Sequence, residues 1–192
     1  MTGGIGSGKS TVCKLFSVLG IPVYNSDDRA KWIVSNDLEI QKAISVVFGA
    51  DAFIQGEYNK SFIASIVFQS PGKLKELNGI IHPAVGRDFE LWVSQNAHKA
   101  PYLVKEAALL FDSGSGKALD YIAVVHAPDE LRIRRVQERD PQRSESQIRN
   151  IIANQMSQDE MMNRTSFLID NSGFSLLIPQ VVALNSSLLK YN

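Results

Sequence analysis

Residues 3–10, Gly-Gly-Ile-Gly-Ser-Gly-Lys-Ser, satisfy the pattern G-x-x-x-x-G-K-[ST] without a mismatch. Such a loop turns successive backbone N–H groups toward phosphate oxygens, which requires close approach and positive φ, and glycine permits both. The side chain of Lys9 would reach the β- and γ-phosphates, and the Ser10 hydroxyl would ligate Mg²⁺. Gly4, Ile5, Gly6, Ser7, Gly8, Lys9 and Ser10 are therefore the candidate nucleotide-binding residues. A flexible glycine-rich terminus is the plainer alternative. It accounts neither for Lys-Ser at that offset nor for the apolar residues at 12, 15, 16 and 19, whose spacing predicts a helix stopped by Gly20. A helix there would aim the positive end of its dipole at the bound anion.

The loop motif alone fits GTPases, ATPases and small-molecule kinases. No N-K-x-D guanine-reading motif is present, since Asn59-Lys60 is followed by Ser61-Phe62, and the D-x-x-G match at 170–173 lies too late to be a switch. A small-molecule kinase needs three further parts: a group that orients the acceptor hydroxyl, a second carboxylate near the metal, and mobile arginines over the transferring phosphoryl group. Asp27 follows one predicted strand and Glu106 ends another, both at the edge where ligands bind in open α/β sheets. Arg132, Arg134, Arg135, Arg139 and Arg143 crowd one predicted helix and its exit, where a lid would close. Arg135 and Arg139, four apart on one face, are the favoured pair, and surface salt bridging is expected of the others. Capping of a helix by Ser26 or Asp27, and a solvated strand end at Glu106, are the competing structural roles.

These groups must be held by a framework, and the pattern of the chain supplies one. Short strands are predicted at 21–25, 102–106, 121–125 and 166–170, with helices at 129–139, 145–156 and after Gly173. Strands alternating with helices imply an α/β fold with a parallel sheet covered on both faces. Residues 36–99 read as almost wholly helical: a helix from 37 to 48 ended by Gly49, short helices at 59–68 and 71–77, and a longer one from Pro83 to about Gln95. The expected organisation is a core of 1–35 and 100–192 with a helical insertion at 36–99.

Bulk properties narrow the class. The chain has 192 residues with twenty basic and twenty acidic side chains, so no net field draws it to nucleic acid or an anionic membrane. Cys13 is the single cysteine, which excludes an internal disulfide and a cysteine-based zinc site. No apolar run approaches a membrane span, and a cytoplasmic location is expected. An ATP-switched regulatory protein is the non-enzyme alternative, and a helical insertion with a basic lid favours the kinase.

Taken in order, TGGIGSGKST, VYNSDDRAK, LNGIIHPAV, EAALLFDSG, RIRRVQERD and FLIDNSG make the chain resemble the dephospho-coenzyme A kinase family over essentially its whole length. The resemblance implies a parallel-sheet P-loop fold of the nucleoside-monophosphate-kinase type. It implies transfer of the ATP γ-phosphoryl group to the ribose 3′-hydroxyl of dephospho-CoA with Mg²⁺, with 36–99 as the acceptor-binding domain and 134–158 as a lid. It makes Asp27 the base on the acceptor hydroxyl, and Lys9, Arg135 and Arg139 its partners in catalysis. Thr11 would assist at the nucleotide phosphates, and Ser10 with Glu106 would hold the metal. Thr2, His82 and Leu109 would line the acceptor side, with Leu110 and Phe111 extending an apolar wall. Asn171, near the last strand, is a candidate for the adenine. Another small-metabolite or nucleoside monophosphate kinase is the enzyme alternative.

The chain departs from the family pattern in three places. Asn25 stands where the family usually carries the first carboxylate of D-x-D, and Ala108 stands where a proline is usual. Only Met1 and Thr2 precede the glycines, whereas an average strand has about five or six residues. A truncated central strand would leave neighbouring edges unpaired, so poor folding or weak nucleotide binding is expected of the sequence as given, with the natural start upstream.

Overall fold

Val12, Cys13 and Phe16 recur at helical spacing behind the glycine loop and are buried, and the segment Lys9–Val18 forms helix α1 around them. The chain then passes through Gly20 at positive φ into strand β1, Val23–Asn25. The computed structural model describes residues 1–108, 110 and 119–191. Two units result, one of residues 1–24 and 96–192 and the other of residues 25–95.

In the first unit β1 pairs with β4, Val104–Glu106, and β5, Ala123–His126, runs parallel to β6, Phe167–Asp170. Met1 and Thr2 lie between these two pairs. The Met1 ammonium donates to Lys105 O at 2.7 Å, and Ala107 N–H donates to Met1 O at 3.1 Å. On the other side Thr2 N–H donates to Ala123 O and Val125 N–H donates to Thr2 O, both at 2.9 Å. Two residues thus bridge β4 and β5 where the sequence led us to expect open edges. The bridge directly precedes the glycine loop, so the loop hangs from the middle of the sheet. Helices α6 (Asp129–Arg139), α7 (Glu145–Ala153), α8 (Gln158–Asn163) and α9 (Leu177–Leu188) complete this unit among the described residues. Its main core joins Val12, Phe16, Val125, Ile169 and Val181, and a satellite of Ile133, Val136 and Ile148 packs with Ile5.

In the second unit α2 (Ser26–Asn36) and α3 (Leu38–Phe48) meet at Asp37, whose carboxylate accepts the N–H groups of Glu39 and Ile40. A 3-10 turn, Ala50–Ala52, leads into the antiparallel hairpin of β2 (Phe53–Ile54) and β3 (Glu57–Tyr58). Gln55 and Gly56 both have positive φ at its tip, as a two-residue hairpin requires. Helices α4 (Lys60–Gln69) and α5 (Pro71–Asn96) follow. Ile33, Val34, Ile44, Phe48, Ile63 and Leu77 form the core of this unit.

Three expectations change here. The hairpin breaks a block that read as wholly helical, because its strands are too short for period-two alternation to register. The two helices expected at 71–77 and from 83 are one, α5, which runs through Pro83 despite the missing N–H. Helix α2 groups with the helical unit rather than with the core, because Ile33 and Val34 enter its apolar cluster. Beyond these, α8 lies past the end of the helix expected at 145–156, where no element was expected.

Candidate active site

The glycine loop leaves the sheet at Gly3 and closes on α1 at Gly8. Gly6 has φ 75°, and a Cβ there would lie 2.5 Å from the Arg132 carbonyl oxygen. Gly8 has φ 94° and caps α1 without any side-chain hydrogen bond, and Asn171 packs where its Cβ would be. Both positions exclude a larger residue, through backbone conformation and through space. Among the described residues no acceptor takes the N–H groups of Gly6, Gly8 or Ser10. An uncapped helix start with unused donors is suited to an anion. The Lys9 side chain is buried and spans the loop, its ammonium donating to Gly3 O at 2.8 Å and Gly4 O at 3.1 Å.

Ser10 and Glu106 come together across 96 residues of chain. The Ser10 hydroxyl donates to Glu106 Oε1 at 2.8 Å, and Glu106 is 5 % exposed at the end of β4. Two hard oxygen donors of this kind fit Mg²⁺, which binds through one or two protein oxygens with substrate phosphates and water filling the rest. No cluster of three or more His, Cys, Asp or Glu side chains suited to a metal occurs among the described residues.

Cys13, one turn along α1, also faces Glu106, and burial together with that carboxylate pushes its thiol pKa up to about 12. A thiol so held is not a nucleophile. Cys13 is expected to resist a thiol-directed alkylating reagent at pH 8 in the folded chain and to react once urea unfolds it. Fast labelling of the folded chain would contradict this.

The arginines divide by position. Arg135 NH2 donates to Asn171 O at 3.1 Å and to Asn171 Oδ1 at 3.3 Å, while its buried NH1 has no hydrogen-bond partner. Asn171 Nδ2 donates in turn to Ser7 O at 2.7 Å, so β6, α6 and the loop are tied through one amide. The Asn171 side chain, a candidate for the adenine, is thus committed to the loop. Arg139 is exposed at the end of α6. Arg134 and Arg143 pair with Glu138 and Asp140, the surface salt bridges expected of them. Arg132 does not fit that expectation: it is 2 % exposed and reaches the loop itself. Its position one helical turn before buried Val136 and one after Asp129 was the available signal, masked by its charge.

Thr2 is fully buried in the sheet and its hydroxyl has no hydrogen-bond partner. Thr11 is exposed on the first turn of α1. In the second unit, Asp27 is exposed in the first turn of α2. The cap of that helix is neither Ser26 nor Asp27 but Asn25, whose Oδ1 accepts the Asp28 N–H at 3.0 Å. Capping needs an acceptor just before the helix, and an amide serves as well as the usual carboxylate. Asp27 is thereby released from that structural role. His82 is exposed on α5, immediately before Pro83. Leu109 and Phe111 lie outside the described residues, and Leu110 is buried.

Known proteins resemble this chain over most of its length. The family model described as dephospho-CoA kinase matches residues 1–176. A protein of Bacteroides fragilis named dephospho-CoA kinase is 42 % identical over 186 residues, covering 96 % of this chain and 89 % of its own length. Another of that name from Porphyromonas gingivalis is 35 % identical over 184 residues, covering 96 % and 90 %. Among solved structures, TT1252 from Thermus thermophilus superposes with a TM-score of 0.84 at 31 % identity, covering all of this chain and 95 % of its own. The dephospho-CoA kinase from Campylobacter jejuni shares the fold, with a TM-score of 0.70 at 24 % identity, covering all of this chain and 96 % of its own. The match extends across the loop, both units and the strands that carry Glu106 and Asn171, and on that basis the chain belongs to the dephospho-CoA kinase family.

Proposed function

We propose that this protein transfers the γ-phosphoryl group of ATP to the ribose 3′-hydroxyl of dephospho-CoA, the last step of coenzyme A synthesis. The single observation that carries the reading is the loop itself: unused N–H groups at Gly6, Gly8 and Ser10 beside an uncapped helix start, with the Lys9 ammonium inside the turn. In the reaction the loop amides and Lys9 hold the triphosphate, with Thr11 assisting at the first turn of α1. Ser10 and Glu106 supply oxygen ligands to Mg²⁺, which neutralises charge on the phosphates when bound. Asp27 accepts the proton of the attacking hydroxyl. Arg135 and Arg139 supply positive charge to the transferring group, and Arg135 keeps one N–H for it. His82, Leu109 and Thr2 support the acceptor. No helix among the described residues is long and apolar enough to cross a membrane, which accords with the small polar substrates of this reading.

Coupled ADP release, measured with dephospho-CoA, AMP, shikimate and gluconate as rival acceptors, tests the proposal. Turnover is expected with dephospho-CoA alone and only with magnesium present. Preferred use of AMP or of a sugar acid would replace the acceptor. Turnover only in the presence of a protein partner would point to the regulatory alternative.

A further inference from the structure

The two peptide groups that flank the Ile5 Cα are gripped by residues that belong to neither the glycine motif nor the arginine pair. Arg132 Nε donates to Ile5 O at 2.8 Å, while Ile5 N–H donates to Gln155 Oε1 at 2.9 Å. The two holding side chains also meet, with Arg132 NH2 donating to Gln155 Oε1 at 3.3 Å. Asp129 accepts from Arg132 NH1 at 2.8 Å and balances a guanidinium whose side chain is only 3 % exposed. Gly4 and Gly6 both pack against Arg132, the one on its guanidinium and the other on its backbone. Arg132 sits on α6 just before the 134–158 segment, and Gln155 lies near the end of that segment. The two residues thus hold the successive peptide groups on either side of one loop residue.

We propose that Arg132 and Gln155 are positioning residues for nucleotide binding, which clamp the two peptide groups flanking Ile5 and so aim the neighbouring loop amides at the phosphates. The inference rests on the nucleotide-binding reading of the loop and deepens it. Each peptide group is planar, so Gln155 orients the Gly4–Ile5 unit through its N–H and Arg132 orients the Ile5–Gly6 unit through its C=O. The φ and ψ of Ile5 between the two units are then no longer free, and the loop meets its ligand already shaped. Neither clamp residue touches the ligand. Each acts through the backbone it holds.

The two positions make different experiments possible. Gln155 is half-buried near a helix end, so Gln155→Leu removes the acceptor for the Ile5 N–H while leaving the fold in place. Gln155→Glu keeps an acceptor oxygen at the same reach and faces Arg132 with a favourable charge. Calorimetry with ATP and magnesium on the full chain is expected to show binding about tenfold weaker for Gln155→Leu, the size of one lost, well-placed hydrogen bond. Gln155→Glu should restore it. The KM for dephospho-CoA and the melting temperature should stay at parental values in both. Arg132→Met should weaken ATP binding as well. Combining it with Gln155→Leu should add little beyond the worse single change, because the two side chains meet and both act on the backbone of Ile5.

Parental ATP affinity in Gln155→Leu would overturn the inference, as would failure of Gln155→Glu to restore binding. A joint fall of ATP affinity, acceptor KM and melting temperature would overturn it too, by assigning Gln155 to general stability. Should Arg132→Met not fold, the two Gln155 variants decide the matter alone. Absence of ATP binding in the parent chain would instead reject the nucleotide-binding reading beneath it.

Discussion

Replacing Lys9 by methionine is expected to lower kcat for phosphoryl transfer by about 10²–10³-fold, the loss seen when one preorganised charge-stabilising donor is removed. Lys9 is buried within the loop and its ammonium already bridges the carbonyls of Gly3 and Gly4. In that position its charge is shielded from water, where it acts on a phosphate more strongly than an exposed lysine could. Methionine retains the apolar stem and so separates loss of charge from loss of packing. Alanine removes both and should be at least as damaging. The melting temperature of the methionine variant reports whether the fold survives, and ADP release reports the chemistry. Parental turnover in a folded variant would remove Lys9, and with it the phosphate assignment of the loop.

Asp27→Ala is expected to lower kcat by about 10²–10⁴-fold, the usual contribution of a general base, with ATP affinity little changed. The structure sharpens this expectation by taking the capping role away from Asp27 and giving it to Asn25. Asp27 is exposed in the first turn of α2, where a substitution away from caps and cores costs stability within about 0.5 kcal/mol. It does lose a favourable interaction with the helix dipole, a few tenths of a kcal/mol at an exposed site. A large fall in turnover with a nearly unchanged melting temperature therefore identifies a chemical role. Asp27→Asn should be nearly as slow as the alanine variant, because an amide cannot take the proton. Unchanged turnover would leave Asp27 as a surface residue of α2. ATP affinity measured on the same variant separates the two predictions, because the proposed roles put Lys9 on the phosphates and Asp27 on the acceptor.

The chemistry of the loop was readable from residues 3–10, because phosphate binding depends on contiguous residues whose types and spacing are dictated by backbone geometry. The alternation of strands and helices was readable for a similar reason, since burial writes its period directly into the chain. The pairing of Ser10 with Glu106 followed from knowing where strands end in such a sheet, and the structure places their oxygens within hydrogen-bond distance. What the linear chain did not disclose was the support behind the loop. Arg132, Gln155 and Asn171 hold the backbone of Ile5 and Ser7 from 127, 150 and 164 residues away. Nothing in the sequence marks the partner of a carbonyl oxygen, because every residue carries one. A buried arginine on α6 also looks, by composition, like its exposed neighbours Arg134 and Arg139. Only the packing of α6 against the loop makes one of them part of the site and leaves the others in water. The same holds for Met1 and Thr2, which the length of the segment marked as inadequate. Tertiary structure gives each of them hydrogen bonds to a neighbouring strand, Met1 to β4 and Thr2 to β5. Short-range rules thus set the reactive groups, and long-range packing decided how rigidly they are held.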